Sequence, residues 1–400
     1  MKITKIETIQ IQEFPSLIFI HLHTDEGVIG LGETMFGPDA VATFIHAQAA
    51  PYLLGKNPLE IERHWTEIFK LGRAALSRSV EIRGLSALDI ALWDIFGQVT
   101  GQPIYQLLGG KVRDQIQVYN TCAGYRYGPS TTTSVAMGHF QESTEGQYED
   151  LEAFLHRADE LAHSLYEEGF RAMKIWPFDQ FVSKTNGQYI CLEDLDKGLE
   201  PFRKIRRAVG HKMEIMVELH SLWNLPSAVR IARALEEFEP MWYEDPLRMD
   251  NLDALSQFKA STRIPTCASE TVATRWAFRE MMERHAVSIV MLDIAWVGGL
   301  SEARKIAAMA EAHHLPFAPH DCTGPVTLMA SVHLCMHGPN ALIQETVRAF
   351  NAGWYPRLVT TLPQIEDGFV YAPNGPGLGM ALLPEVLQRQ DLTIRSSKLE

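Results

Sequence analysis

Apolar and polar residues alternate along the first 33 residues of the chain in the manner of β-strands. Ile3 to Ile11 alternates, Leu17 to Thr24 is mostly apolar, and Val28 to Glu33 follows a turn at Asp25-Glu26-Gly27. Alternation of this kind indicates half-buried strands, and a polar turn containing Gly between two such runs indicates a hairpin. The start of the chain therefore predicts a meander of three strands.

The pattern changes to a helical period between about Ala40 and Gly101. In LSALDIALWDIFGQVTG, apolar residues recur three or four positions apart and share one helix face: Leu85, Leu88, Leu92, Ile95 and Val99. This period is typical of an amphipathic helix packed against a core. Strands followed by such helices predict a small α+β domain, which we place at residues 1–115.

From about Gln115 onward, short apolar runs alternate with amphipathic helices. The clearest predicted strands are residues 213–219, 241–244, 265–270, 287–294, 316–320 and 341–345. This alternation predicts parallel strands joined by crossover helices, closed into a (β/α) barrel of the TIM type. We place the barrel at residues 116–350, with residues 351–400 packing back on the first domain and with the polar segment Gly124–Gln147 as a loop near the mouth.

Three glutamates end consecutive predicted strands at equal intervals. Glu218, Glu244 and Glu270 follow one another at a spacing of 26 residues, which is about the length of one βα unit. We therefore expect their side chains at the same height on the face where barrel active sites lie. Adjacent carboxylates repel unless a cation neutralises them, and oxygen ligands favour Mg²⁺. The alternative is that these acids are helix caps or loop residues.

The next two predicted strands end in a candidate acid–base pair. Asp293 ends one strand and His320 ends the following one, so the carboxylate is placed to fix the imidazole tautomer and raise its basicity. His320 is therefore the candidate base, with a structural histidine as the alternative. Glu345 ends the strand after that and is placed to hydrogen-bond an enolate, or to serve as a structural acid.

Two further residues are candidates for the same site. His220 lies two residues beyond Glu218, and in an extended strand it shares the side-chain phase of Glu218. We assign it as a general acid, with a structural role as the alternative. Lys174 ends an earlier apolar run and is a candidate second base or an electrostatic anchor for a carboxylate, whereas Trp176 fits a pocket wall.

Composition narrows the class of partner. The net charge of −13, from 36 basic and 49 acidic residues, disfavours a nucleic-acid or anionic-membrane surface. The five cysteines include no CxxC pair, so neither a disulfide framework nor a zinc ribbon is expected. Neither a signal peptide nor a stretch of about 18 apolar residues is visible. We expect a soluble, cytoplasmic protein that acts on a small molecule.

Several motifs together resemble the mandelate racemase subgroup of the enolase superfamily over nearly the whole chain. They are GLSALDIALWDIFGQVTGQPIYQLLGG from Gly84, YEDP at Tyr243, ASE at Ala268, DIAWVGGLSEARKIAAMAEAH at Asp293, APHDCTGP at Ala318 and PNGPGLG at Pro373. The resemblance implies an α/β fold, with a modified TIM-type barrel beneath an α+β capping domain. It also implies a homo-oligomer, with Mg²⁺ held by Glu218, Glu244 and Glu270.

Within the subgroup, the chain is most similar to acid-sugar dehydratases of the galactonate dehydratase kind. There the histidine matching His320 is the base and the histidine matching His220 the acid. Two positions of this chain depart from the pattern. Glu218 stands where aspartate is usual, and Trp176 occupies the second position of the Lys-x-Lys pair used by racemases. The second departure weakens a two-base mechanism, because inversion needs groups on both faces of the α-carbon.

The resemblance implies a hydro-lyase that converts a sugar acid into a 2-keto-3-deoxy acid. His320, backed by Asp293, takes the α-proton, and His220 protonates the departing hydroxyl. Residues 13–16, 36–38 and 125–127 are expected to select the substrate. Two alternatives remain open: an epimerase, racemase or cycloisomerase working through the same enediolate, and a barrel that binds a sugar acid without turning it over.

Overall fold

The computed structural model describes residues 1–71, 79–125, 127 and 148–399. Arg126 and residues 128–147, which belong to the predicted mouth loop, lie outside the described residues. The strands in these ranges are β1 (Ile3–Ile11), β2 (Leu17–Thr24), β3 (Ile29–Met35), β4 (Gln115–Thr121), β5 (Ala172–Ile175), β6 (Glu214–Glu218), β7 (Trp242–Glu244), β8 (Thr266–Ala268), β9 (Ile289–Leu292), β10 (Phe317–Pro319), β11 (Gln344–Thr346), β12 (Ile365–Glu366), β13 (Phe369–Tyr371) and β14 (Leu392–Lys398).

The α-helices of the same ranges lie between and around these strands. In chain order they are α1 (Pro38–Phe44), α2 (Ala50–Leu53), α3 (Ile61–Lys70), α4 (Val80–Thr100), α5 (Ile104–Leu108), α6 (Asp150–His156), α7 (Ala158–Glu167), α8 (Leu192–Val209), α9 (Leu225–Leu235), α10 (Leu252–Ala260), α11 (Arg275–Glu283), α12 (Ile294–Val297), α13 (Gly299–Ala312), α14 (Pro325–His337) and α15 (Arg348–Ala352). Within the described residues, no helix has both the length and the apolar character needed to cross a lipid bilayer.

The N-terminal sheet confirms the predicted meander. Its strand order is β14-β1-β2-β3, with antiparallel pairing throughout. Helix α4 lies so close to the sheet that a Cβ at Gly32 would come within 1.9 Å of the Ala87 carbonyl oxygen. Glycine is therefore required at this contact. Four of the five residues predicted to form the apolar face of α4 are buried, but Val99 is 40% exposed, so that face ends one turn before the helix does.

Eight parallel strands, β4 to β11, form the barrel. Strands β4 to β10 are consecutive neighbours, and β11 pairs with β4. A bridge between Phe317 and Ala341 joins β10 to the segment before β11 and so closes the ring. The interior holds its own apolar cluster, to which the strands contribute Tyr119, Ala172, Met216, Trp242, Cys267, Ile289, Met291, Ala318 and Ile343. The strands predicted after residue 213 are thus confirmed, each shorter than its apolar run.

Buried carboxylates tie the N-terminal elements to the barrel. Glu33 of β3 accepts hydrogen bonds from the N–H groups of Val326 and Thr327, at 3.3 and 2.9 Å, in the first turn of α14. Asp89 of α4 accepts from the N–H and hydroxyl of Ser301, at 2.9 and 2.6 Å, in the first turn of α13. The N–H groups of a helix's first turn have no partner within the helix, so both contacts fix the position of the barrel helices under the sheet.

The end of the chain returns to the N-terminal elements. Strand β14 pairs with β1, from Lys5 with Lys398 to Ile11 with Leu392. Asp94 of α4 accepts from the N–H groups of Leu378 and Leu31, both at 2.9 Å. These contacts hold the last residues against the first sheet. The domain limits at residues 115 and 350 stay a prediction.

Candidate active site

A cavity of about 690 Å³ lies between the N-terminal elements and the C-terminal ends of the barrel strands. The N-terminal part of the chain contributes Ser16, Met35, Phe36, Gly37 and Arg83 to its wall. The barrel contributes Thr121, Tyr127, Lys174, Trp176, Glu218, His220, Leu222, Glu270, Thr271, Trp296, His320, Cys322 and Glu345. This is the end of a TIM-type barrel at which active sites lie.

The three predicted metal ligands meet at this cavity. Glu218, Glu244 and Glu270 offer carboxylate oxygens that all lie within 4.8 Å of one another. Glu218 and Glu244 end β6 and β7 and are direct register partners, as the equal spacing predicted. Glu270 does not share their height, because the register partner of Glu244 is Cys267. It reaches the group from the loop that follows β8.

Crowding perturbs the acidity of these carboxyls in opposite directions. Burial, together with the neighbouring Glu218 and Glu345, raises the pKa of Glu244 well above its ordinary value. Burial also acts on Glu270, but the facing imidazole of His320 outweighs it and lowers the pKa of Glu270 to about 2. Buried acids this close together require cations nearby.

Lys174 supplies one of these cations. Its Nζ lies 2.8 Å from Glu345 and 3.7 Å from Glu218, and it also forms an ion pair with Glu244. Although burial alone would lower the pKa of Lys174, the surrounding carboxylates raise it well above the ordinary value. An ammonium held by several acids is a poor proton acceptor, so the geometry favours the electrostatic role over that of a second base.

The donor set fits Mg²⁺. All three side chains offer oxygen, which hard divalent cations prefer, and no imidazole or thiolate is interposed among them. Burial is the largest cause of the raised pKa of Glu244, and Glu218 and Glu345 add to it although Lys174 acts against it. The longer side chain at position 218 is accommodated, because Glu218 Oε1 turns back to accept from the N–H of His220 at 2.6 Å.

His320 is oriented by a buried carboxylate, as the sequence predicted. Its Nδ1 lies 2.8 Å from Asp293 Oδ2, and Asp293 is itself fixed by the Thr323 hydroxyl at 2.7 Å and the Ala295 N–H at 2.7 Å. The other ring nitrogen, Nε2, lies 2.9 Å from Glu270 Oε2. Burial lowers the pKa of His320, but the adjacent Glu270 and Glu345 outweigh it and raise the pKa well above its ordinary value. Nε2 faces the three glutamates, and a cation that neutralised them would free this nitrogen to accept a proton.

His220 also lies against the cavity, but for a reason other than strand alternation. Its φ of 46° places it in the left-handed region, so the extended strand has already ended at Glu218. Its Nδ1 lies 2.6 Å from Asp179 Oδ2. Burial lowers the pKa of His220, but Asp179 and Glu218 outweigh it and raise the pKa to about 9. The imidazole is thus protonated at neutral pH.

Asp179 was missed by sequence reasoning. It begins a short 3-10 helix, Asp179–Lys184. In the sequence it is a lone acid after the segment KIWPF, and no pattern links it to a histidine 41 residues later. Only the fold brings the two side chains together. The site therefore contains two histidine–aspartate pairs, of which the sequence predicted one.

Glu345 is the middle residue of β11 and is fully engaged. It accepts from the Asp321 N–H at 2.8 Å, from Lys174 Nζ at 2.8 Å and from the Thr121 hydroxyl. These donors hold its carboxylate at the floor of the cavity. The sequence predicted that Glu345 ends its strand, whereas the strand continues to Thr346, and the sequence did not reveal the hydroxyl of Thr121.

Arg83 is a second residue that the sequence did not reveal. Its guanidinium donates to the Met35 carbonyl at 2.7 Å and lies 4.6 Å from the ring centre of Trp296 and 5.5 Å from that of Phe36. Among the described residues, it has no carboxylate within ion-pair distance. A half-buried cation without an anion leaves hydrogen-bond donors free to face a ligand.

Of the residues expected to select the substrate, Ser16, Phe36, Gly37 and Tyr127 line the cavity. Glu13 instead forms ion pairs with Arg357 and Arg389, at 2.8 and 2.7 Å. Only some of the residues expected to select the substrate are therefore in a position to contact it.

Comparison with known proteins identifies the family. Residues 4–109 match the model for the N-terminal domain of mandelate racemase / muconate lactonizing enzyme, and residues 157–386 match the model described as enolase C-terminal domain-like. The chain belongs to the enolase superfamily, in its mandelate racemase subgroup. The family, the fold and the enzymatic nature expected from the motifs are thereby confirmed.

Relatives cover nearly the whole chain. A D-xylonate dehydratase of Haloferax volcanii is 30% identical, over 95% of this chain and 87% of its own length. A D-galactonate dehydratase of Ralstonia nicotianae is 29% identical, over 95% of this chain and 92% of its own. The crystal structure of an enolase of the mandelate racemase subgroup from Agrobacterium tumefaciens is 49% identical, with a TM-score of 0.88 over 100% of this chain and 99% of that chain.

Proposed function

We propose that this enzyme is a Mg²⁺-dependent dehydratase that converts a sugar acid into a 2-keto-3-deoxy acid. The observation that carries the proposal is the convergence of two oriented histidines on one carboxylate cluster. His320 Nδ1 lies 2.8 Å from Asp293 and His220 Nδ1 lies 2.6 Å from Asp179. The dehydratases among the relatives support the same reaction class.

Mg²⁺ held by Glu218, Glu244 and Glu270 would bind the substrate carboxylate and draw off the negative charge that develops on it. His320 Nε2 takes the proton from the α-carbon, and Asp293 stabilises the imidazolium that results. The C–H electron pair becomes the new carbon–carbon double bond. His220 donates a proton to the β-hydroxyl, which leaves as water with its bonding electrons. The enol that remains takes up a proton at C3 and releases the proton of its C2 hydroxyl, and so becomes the 2-keto acid.

The geometry favours elimination over inversion at the α-carbon. Inversion needs a second base opposite His320, but Lys174 is occupied by Glu244 and Glu345, and Trp176 fills the position of the second lysine. Two histidines, each fixed by its own aspartate, are more than a binding barrel requires. Dehydration gives a role to both histidines and to both aspartates that orient them.

The upper wall of the cavity is proposed to read the hydroxylated chain of the substrate. Arg83 offers free guanidinium donors, and Tyr127 lines the same cavity. Arg83→Met should raise KM for the preferred sugar acid more than it lowers kcat, because it removes binding contacts without touching the proton-transfer groups. Steady-state kinetics of the variant on the preferred acid provides the measurement.

The experiment that tests the proposed reaction is a panel of aldonic and aldaric acids incubated with enzyme and Mg²⁺, with the 2-keto product measured as its semicarbazone. We expect product from at least one acid with the wild type and with His211→Asn, which alters an exposed histidine. His320→Asn should give none. Deuterium incorporation at the α-carbon in D₂O without loss of water would favour the epimerase instead, and an inert wild type would contradict both.

The homo-oligomeric state and the cytoplasmic location stay predictions.

A further inference from the structure

A second cluster of metal-ligand side chains lies on the N-terminal sheet, outside the wall of the cavity. Glu7 of β1 is the direct register partner of His21 on β2. His23 lies two residues further along β2, so both imidazoles project from the same face of the sheet. One ligand atom from each of the three side chains lies within 4.8 Å of the others.

The sheet holds the carboxylate of this cluster in one orientation. Glu7 Oε1 receives Lys5 Nζ at 3.0 Å and the hydroxyl of Ser396, on β14, at 3.1 Å. The other oxygen, Oε2, is turned toward His23 Nε2 at 2.7 Å. Fixing a ligand through its second atom is how metal sites set the direction of coordination.

The histidines are also suited to ligation. His21 is only 7% exposed, and its imidazole makes no hydrogen bond within the described residues. The side chains of His23 and Glu7 are 19% and 17% exposed, so an ion can enter from that side. The ring of His21 packs edge-on against that of His23, with 5.8 Å between the ring centres, and its nitrogens are available to coordinate an ion beside the oriented carboxylate.

We propose that Glu7, His21 and His23 bind a divalent transition-metal ion of the zinc class, with water as the fourth ligand. Two imidazole nitrogens and one carboxylate oxygen suit Zn²⁺, whereas the oxygen-only cluster at the barrel mouth suits Mg²⁺. The two sites therefore select different ions. Through Ser396, the bound ion would link β1, β2 and β14 in one sheet.

Binding requires a small rearrangement. Bonds of about 2.0 Å in a tetrahedral zinc site separate ligand atoms by about 3.3 Å, so the 2.7 Å contact between Glu7 and His23 must widen by about half an ångström. The proton shared in that contact leaves to solvent as the ion enters. The charge of Lys5 opposes the ion, and the site is therefore expected to bind more weakly than one with four protein ligands.

Co²⁺ tests this proposal on the full-length protein, stripped of metal and supplied with excess Mg²⁺ to fill the carboxylate site. Four-coordinate Co²⁺ absorbs visible light far more strongly than six-coordinate Co²⁺. We expect one equivalent to produce the strong absorption in the wild type and in His163→Gln, whose histidine is exposed on α7. His23→Gln and His21→Gln should each weaken Co²⁺ binding at least tenfold.

An unchanged titration in His23→Gln, or no strong absorption in the wild type, would overturn the proposal. His23→Gln is the decisive variant, because this half-buried side chain is less critical to folding than His21. The far-UV circular dichroism spectrum and the dehydratase turnover of His23→Gln should match those of the wild type, because none of the three proposed ligands lines the catalytic cavity. Failure of this test therefore leaves the proposed function intact.

Discussion

Two groups of buried carboxylates in this protein differ in how their charge is satisfied. At the junction between the sheet and the barrel, Glu33 and Asp89 each stand alone and accept hydrogen bonds from the first turn of a helix. At the barrel mouth, Glu218, Glu244 and Glu270 lie within 4.8 Å of one another. Carboxylates are thus isolated and capped in one region and crowded in the other.

The difference shows which carboxylates serve structure and which serve chemistry. The junction acids have donors within the protein and need no ion. The mouth acids instead share Lys174 and His320 as cationic partners, and in the proposed function an ion and a substrate join this cluster. Removing a junction acid should therefore cost stability, and removing a mouth group should cost activity.

The largest expected effect is on turnover. His320→Asn removes the proposed base and should lower kcat by about 10³-fold or more, since general-base catalysis contributes about 10² to 10⁴. The free energy of unfolding should change little by comparison. Product formation checks the loss of kcat, and urea unfolding of the same preparation checks the free energy of unfolding. A variant that retains more than a tenth of wild-type turnover would refute the assignment of His320 as the base.

A smaller loss of turnover is expected from Asp179→Asn. The amide can still bond to His220 but no longer stabilises the imidazolium electrostatically, so kcat should fall by about 10- to 100-fold, the range for a group that acts through a neighbouring side chain. KM should change much less. Equal damage to kcat and to thermal stability would instead assign Asp179 a purely structural role.

At the junction, Glu33→Ala should cost about 1 to 3 kcal/mol in the free energy of unfolding. It leaves the N–H groups of Val326 and Thr327 and the Thr327 hydroxyl without their acceptor, and unsatisfied buried donors carry a penalty of this size. Equilibrium urea unfolding gives the value. Glu33→Gln, which keeps an acceptor oxygen, is the matched control and should lose less.

The stability of the protein should also depend on pH. Burial outweighs the hydrogen bonds and raises the pKa of Glu33, Asp89 and Asp94 to about 7 in the folded protein, whereas such carboxyls titrate near pH 4 in an unfolded chain. The folded state holds more protons between these values. This contribution to stability is therefore complete below about pH 4 and is lost as the pH rises through about 7.

Asp94→Asn should flatten that slope, because an amide does not titrate. The measurement is the free energy of unfolding of wild type and variant across this pH range. Parallel curves would show that Asp94 titrates alike in both states.

Much of the fold followed from local patterns, but parts of the site did not. The meander, helix α4 and the barrel strands leave periodic signals in the sequence, and Glu218, Glu244, Asp293 and His320 stand at or just beyond predicted strand ends. The height of Glu270 could not be predicted, because the register between β7 and β8 depends on the curvature of the closed ring.

Asp179 and Arg83 left no signal that marks them as site residues, and His220 was located by assuming a strand that has already ended at that point. Asp179 lies in a short 3-10 turn, Arg83 lies in the first turn of α4, and His220 enters the site through a left-handed backbone. Their side chains meet the site only because elements distant in the chain pack together. Lys174 was located by sequence, but its anchoring role follows from its three acidic neighbours.

The most direct test of whether the crowded carboxylates form an ion site is the free energy of unfolding measured with and without Mg²⁺. For the metal-free wild type, Mg²⁺ at about 100 times its Kd should raise the free energy of unfolding by about 2.7 kcal/mol. Asp94→Asn should respond equally, because its carboxyl lies at the junction, and Glu244→Gln should respond far less. Wild-type stability unchanged by Mg²⁺, or an undiminished response in Glu244→Gln, would contradict the account.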